Sequence, residues 1–237
     1  MISANTLDVE PYTEGSTLAP GKITFQKKSA NVLTYAGAAA LTIREAERSS
    51  VAVLNTTITG LTLAAAAREK AVLRSTFASA VAAAPTDVAL GATLGASTFS
   101  DWTDAVVNAA EVFESVALPL GTLVVSKDVF LKLKNFNDTT GRPLMDVTGT
   151  GSNTIGTLNL PGLSGNLSGV TVIADTGATD GTAAFAASTS ITRYLSGLVQ
   201  LSNTSVFDLS QQLAVYRYGV PVVTQPEGIV PVTISAS

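Results

Sequence analysis

The chain has 237 residues, 46% of them hydrophobic and 14% charged, with a net charge of −4 and neither Cys nor His. That is a globular rather than a disordered composition, and the length allows one or two domains. The two missing residue types exclude disulfides, thiolate chemistry, a Ser-His-Asp or Cys-His arrangement and an ordinary zinc site, and the acidic balance argues against the whole protein gripping nucleic acid.

Residues 1–12 are polar and mixed, with Pro11 breaking any helix, and read as an arm that leans on something else. The start lacks the basic-then-apolar pattern of a signal peptide, and no apolar run is long enough to cross a bilayer. A soluble protein made in a cytoplasm, with no membrane partner, is the expectation. Gly15, Pro20 and Gly21 make residues 13–21 a turn region. Residues 22–36 read as one strand, with Ile23, Phe25, Leu33 and Tyr35 on one face and Lys22, Thr24, Gln26 and Lys28 on the other. Lys27, Ser29 and Asn31 interrupt the apolar face, which suits a hairpin arm projecting from the body. Residues 41–48 alternate in charge and lead into the dominant element of the chain.

That element is a helix predicted over residues 49–81. Val51, Leu54, Ile58, Leu61, Ala65, Val72 and Val81 recur at three- and four-residue steps and form an apolar stripe. Ser49 or Ser50 is the expected cap, Ala64, Ala65, Ala66 and Ala67 keep the surface flat for a neighbouring element, and Gly60 is the weak point. At 1.5 Å per residue the helix is roughly 45 Å long, a spine rather than a domain helix. Pro85 stops it, and the Gly-Ala-Thr text that follows reads as a loose connection.

A second helix is predicted over 101–115, capped by Ser100 or Asp101, with Trp102, Val106, Ala109, Ala110 and Phe113 on its apolar face. Residues 121–126 read as a short buried strand, and Ser126 caps a third helix through Asn135. A long polar loop occupies 136–156. Strands follow at 170–174, at two places within 182–201, as a pair or one bulged strand over 207–223, and as a short final strand. Helices and strands mix without regular βαβ alternation and without internal repeats, so the fold class is α+β.

Several local patterns have a plain reading and a chemical one. GSTLAPGK (residues 15–22) is one residue too long for a phosphate loop, has Ile23 where Ser or Thr would hold magnesium, and loses an amide at Pro20; it reads as a hairpin tip. Gly149-Thr150-Gly151 is not followed by a helix and is a loop, not a dinucleotide fingerprint. The carboxylate pairs Asp101/Asp104 and Glu111/Glu114 suit an exposed helix face better than acid–base chemistry. Lys22, Lys27, Lys28, Arg44 and Arg48 form the densest basic cluster, better suited to an acidic neighbour surface than to DNA. Arg44-Glu45 and Glu47-Arg48 suit salt bridges between subunits or a solvated surface equally. Trp102 reads as core.

The order of elements resembles the major capsid proteins of tailed bacteriophages, the Hong Kong 97 fold, over nearly the whole chain. The phrases that carry the resemblance are Glu14-Gly15, Ala19-Pro20, Ile23-Thr24-Phe25, Lys27 or Lys28, and Ala30-Asn31-Val32 of the arm; Gly141-Arg142-Pro143-Leu144 after the third helix; Leu167 with Gly169-Val170-Thr171-Val172; and LAVYRYGVPVVTQP near the end. The resemblance implies an N-terminal arm (1–12), an extended hairpin loop (13–45), a peripheral domain with the spine (46–82), an axial domain (83–203) and returning peripheral strands (204–237). It implies a non-enzymatic tile that self-assembles into hexamers and pentamers of an icosahedral shell around double-stranded DNA, in a virion assembled in the host cytoplasm, with no cofactor and no metal. Separate scaffolding, portal and decoration proteins are the implied partners. The implied assembly contacts are Glu14, Leu18, Lys22, Phe25, Lys27, Lys28, Arg44, Glu45, Glu47 and Arg48. Ala19 stands where some relatives carry a cross-linking Lys, so that covalent chemistry is not expected here. The arm before the hairpin is short and lacks a charged helical segment of the scaffolding kind; the expectation is either that such a segment is clipped off or that a separate protein scaffolds assembly, and Met1 favours the second. An encapsulin-type compartment of the same fold, packaging an enzyme, is the alternative shell; an enzyme using only Ser, Lys, Asp and Glu is the alternative of another class.

Overall fold

The computed structural model describes residues 2–5, 22–25, 29–48, 52–137, 145–146, 156–159 and 163–235. They fall into two units, Met1–Val32 and Leu33–Ser237.

In the first unit, β1 (Ile2–Asn5) pairs antiparallel with β2 (Ile23–Phe25), Ile2 opposite Phe25 and Asn5 opposite Ile23, with a bulge between Ile2 and Ala4. Of the stretch expected to form an N-terminal arm, only residues 2–5 are described, and they pair with residues 23–25.

The strand predicted over 22–36 is two strands. The second, β3 (Leu33–Thr42), belongs to the other unit, so residues 33–36 are body rather than projecting arm. The reason is a partner the local pattern does not show. β3 lies antiparallel to β13 (Ser210–Val223) through ten residue pairs, from Leu33 opposite Gly219 to Thr42 opposite Ser210. Tyr35 is buried, Gly37, Ala39 and Leu41 are half-buried, and the residues between them are exposed. That is the period-two signature of a strand with one covered face.

Thr42 caps a short helix, α1 (Ile43–Arg48), and the spine follows as α2 (Val53–Ala82), 30 residues long. Its first turn begins after Ala52, whose side chain makes no capping bond; Ser49 and Ser50 lie outside the described residues. The stripe read from the sequence is the covered face: Ala65 is buried and Leu54, Ile58, Leu61, Val72 and Val81 are half-buried. This face packs across β13 and β3. A Cβ on Gly37 would come within 3.2 Å of the Leu61 side chain, so glycine allows helix and strand their close approach. With β11 (Ile191–Leu195) and β12 (Val199–Ser205) on the other side of β13, these strands make a four-stranded sheet covered on one face by α2.

The second sheet has eight strands. Its members are β4 (Val88–Thr93), β5 (Thr122–Ser126), β6 (Met145–Asp146), β7 (Gly156–Asn159), β8 (Ser164–Leu167), β9 (Val170–Asp175), β10 (Ala183–Ala186) and β14 (Ile229–Ser235). Their order is β4-β14-β10-β5-β9-β8-β7-β6, with β4/β14, β5/β9 and β6/β7 parallel. Helix α3 (Phe99–Ser115) packs on β4, and α4 (Lys127–Lys134) on β5 and β9. Trp102, Phe113, Leu123, Leu133, Val172, Phe185 and Val230 are all at most 1% exposed and form one continuous core.

Some sequence expectations shift here. α3 is capped by Thr98, not by Ser100 or Asp101: Asp101 is the other half of a capping box, its carboxylate accepting from the Thr98 amide at 2.7 Å. Ser126 precedes α4 but makes no cap bond. Its hydroxyl donates to Asp128 and accepts from the Thr182 amide at 3.2 Å, tying the helix start to the loop before β10. The text after Pro85 is not all loose connection, because β4 runs parallel to β14, Val88 opposite Val232. Residues 207–223 resolve into a turn and one unbroken 14-residue strand. The expected boundary near 203 does not follow the sheets, since β11 and β12 join β13 while β14 crosses to the eight-stranded sheet. Most of the polar loop at 136–156 lies outside the described residues.

Candidate assembly interface

Helix α1 is formed by a local bargain between Thr42 and Glu45. The Thr42 amide and hydroxyl donate to the Glu45 carboxylate at 3.0 and 2.9 Å, and the Glu45 amide returns a bond to the hydroxyl at 3.2 Å. The Thr42 amide, more than its hydroxyl, holds the Glu45 carboxyl below the usual carboxylate range. Arg44, Glu45, Glu47 and Arg48 are all exposed, and among the described residues none of them forms an ion pair. Leu41, Arg44, Glu45, Arg48 and Val53 line an open hollow of about 510 Å³. The helix is pinned at its start by a bond from the Ile43 amide to the Leu209 carbonyl, 2.9 Å, in the turn between β12 and β13.

The other expected contacts are placed differently. Lys22 is exposed just before β2, and Phe25 ends β2. Glu14, Leu18, Lys27 and Lys28 lie outside the described residues, as do Ala19 and the phrase from Gly141 to Leu144. Trp102 is fully buried, its ring N–H donating to the Ser97 hydroxyl at 3.3 Å, as a core residue should.

The sequence reading missed the charges that fasten the spine. Glu69 is buried on the covered face of α2. One carboxylate oxygen accepts from Arg193 on β11 at 2.7 Å and the other from Arg217 on β13 at 3.1 Å. Arg217 also donates to the Ser196 carbonyl at 3.2 Å. Burial first, and the Glu69 charge second, push the Tyr35 hydroxyl pKa up. One turn and a half along, Arg74 pairs with Asp175 at the end of β9, its Nε within 2.7 and 2.9 Å of the two carboxylate oxygens. Arg74 holds the Asp175 carboxyl below its usual range, with the Gly177 amide assisting. Thus α2 is tied to the four-stranded sheet by one carboxylate and to the eight-stranded sheet by another. A signal was present: Glu69 falls four residues after Ala65 and three before Val72, inside the apolar stripe, where an acid needs a partner.

The opposite face of the four-stranded sheet is bare among the described residues. Tyr194, Val199, Leu201 and Tyr218 are exposed there, sharing that face with Tyr216 by strand register. One helix against one face, charge concentrated on α1 and an uncovered apolar face describe a protein that is completed by contact with others.

Comparison with known proteins agrees. Residues 26–232 match the family described as phage capsid protein, and the chain belongs to that family. It is a structural protein of the phage virion. No curated protein sequence matches. Among solved structures, the capsid of an empty GTA particle superposes with TM-score 0.66 at 13% identity, covering 95% of this chain and 80% of that one. The mature capsid of bacteriophage PhiM1 gives 0.63 at 14% identity, with 98% and 80% covered. A structure from Mycobacterium phage Adephagia gives 0.63 at 13% identity, with 100% and 83% covered. At these identities the likeness is one of fold: the α+β capsid fold anticipated from the order of elements.

Proposed function

We propose that copies of this chain tile, as hexamers and pentamers, into an icosahedral shell enclosing double-stranded DNA, and that the protein acts by assembly and not by catalysis. The observation that carries this is the family match across residues 26–232, on a body whose spine has one covered face and whose outer sheet face lies bare. A shell tile needs many modest, geometrically fixed contacts, and a heterologous contact closes a ring when its rotation does. In this reading the first unit lies over a neighbouring copy, α2 with the four-stranded sheet is the peripheral domain, and the eight-stranded sheet with α3 and α4 is the axial domain. Arg44, Glu45, Glu47 and Arg48 meet a neighbour, as do the basic residues near β2. A negative tile with few exposed basic clusters suits a wall that holds DNA without binding its sequence. Scaffolding, portal and decoration are supplied by other proteins, and assembly takes place in the host cytoplasm. The encapsulin reading falls behind because the matched family is of phage capsids.

Expression of the chain followed by size-exclusion chromatography and electron microscopy tests the proposal. Shell-like particles of megadalton size are expected; a monomer or dimer under all assembly conditions overturns it. Removing residues 1–32 should leave the second unit folded and unable to form shells. Shells from that truncated chain would remove the role given to the first unit.

A further inference from the structure

The turn between β12 and β13 carries the two most exposed large apolar side chains of the described residues, with a third exposed one beside them. Phe207 is 105% exposed, Val206 81% and Leu209 63%. Three apolar residues in a four-residue loop are a poor choice for a surface that stays in water. Nor is the loop a loose one. Ser205 and Ser210 close the ladder on either side of it, and the Leu209 carbonyl accepts from the Ile43 amide at 2.9 Å. Asp208, within the loop, has its carboxyl pKa lowered, first by the Ser205 hydroxyl beside it. A fixed backbone presenting one aromatic outward is the anatomy of an interface anchor, since little freedom is lost on binding.

The same end of the body holds an open hollow. The hollow of about 510 Å³ at α1 has apolar Leu41 and Val53 in its lining, with Arg44, Glu45 and Arg48 as its charged members. The chain's own Phe207 does not fill it, being wholly exposed. The chemistry of the two is complementary. A phenyl ring meets apolar side chains and guanidinium groups that stack well on aromatic faces, and the Asp208 carboxylate beside it meets Arg44 and Arg48.

We propose that the β12–β13 turn of one copy seats Phe207 in the α1 hollow of a second copy of this chain, with Asp208 against Arg44 and Arg48. The contact rests on the shell reading above and gives it a residue-level partner. Knob and hollow are different surfaces, so the contact is heterologous, and it closes when neighbouring copies present these ends around a common axis.

The test starts from assembled wild-type particles. Phe207→Ala should leave the melting temperature of the isolated subunit unchanged and lower the yield of particles by at least about tenfold, the effect of losing one anchor, while Phe207→Leu keeps most of the yield. Particles forming normally from folded Phe207→Ala protein would overturn the contact and leave the shell reading standing; a wild-type chain that never assembles would overturn both. Position is read by cross-linking, which the absence of native Cys makes clean. In particles carrying Val206→Cys and Arg48→Cys, a short bismaleimide should give a ladder of linked copies on a denaturing gel. No ladder, or linked dimers from Val206→Cys alone, would show that the turn does not enter the hollow.

Discussion

The two sheets of the body are stabilised differently. The eight-stranded sheet is closed by α3 and α4 over a continuous core that includes Trp102, Phe113, Leu123 and Phe185. The four-stranded sheet has one helix on one face, buries Tyr35, Leu213 and Val215, and relies on Glu69 to hold that helix in place. A subunit that must assemble keeps its own stability in one region and leaves the other with surface still to be covered. The first region answers to packing, the second to charge and to contact with other copies.

The sharpest way to break that contrast is Phe185→Ala. The ring is fully buried, and the expected loss is about 3–5 kcal/mol of unfolding free energy in urea titration. A loss under about 1 kcal/mol would mean the core is not the main support. Glu69→Ala comes next, leaving two arginines facing a covered helix. The expected cost is about 2–3 kcal/mol, below the full value for a buried pair because the Arg193 side chain is 52% exposed. Glu69→Ala combined with Arg217→Met should recover part of it, and strict additivity would show the two do not act together.

The tie between the regions is smaller and depends on pH. The Asp175 carboxyl pKa is lowered in the folded state, so its contribution is present above the unfolded carboxylate pKa and is lost as pH falls through the folded value. Asp175→Asn should therefore cost about 1 kcal/mol at neutral pH and flatten the acid limb of the stability profile below about pH 4. An acid limb as steep as that of the wild type would assign the pH dependence elsewhere. Smallest of all, and opposite in sign, Gly60→Ala should stabilise by about 0.5–1 kcal/mol, since nothing lies within 4 Å of the added methyl. No gain in melting temperature would mean the helix is already fixed there by its packing.

The helices were legible because their information is local. The stripe of α2, its end before Pro85 and the buried face of α3 all follow from residues within two turns of one another. Strands were legible where apolar residues clustered, as at Val170–Asp175, and not where small residues concealed the alternation. β3 is mostly Ala, Gly and Thr, and its strand character comes from β13. β4 contains Gly91 in the left-handed region and reads as loop until β14 lies beside it. Of the candidate interface, the charges of α1 were legible as a pattern. Their capping by Glu45, their pinning by Leu209 and the exposure of Phe207 were not, because each depends on which turn lies next to which.

The residues alone determined a long Pro-terminated spine, an α+β mixture, the exclusion of imidazole and thiol chemistry, and a resemblance strong enough to name a family. Tertiary structure alone decided that β3 belongs to the body, that β14 crosses to the larger sheet, and that Glu69 meets Arg193 and Arg217 across 124 and 148 positions. Periodicity records what a segment buries against itself and its nearest neighbours. The pairing of distant strands and charges is fixed only when the whole chain has found the one arrangement that satisfies its backbone and covers its apolar faces together.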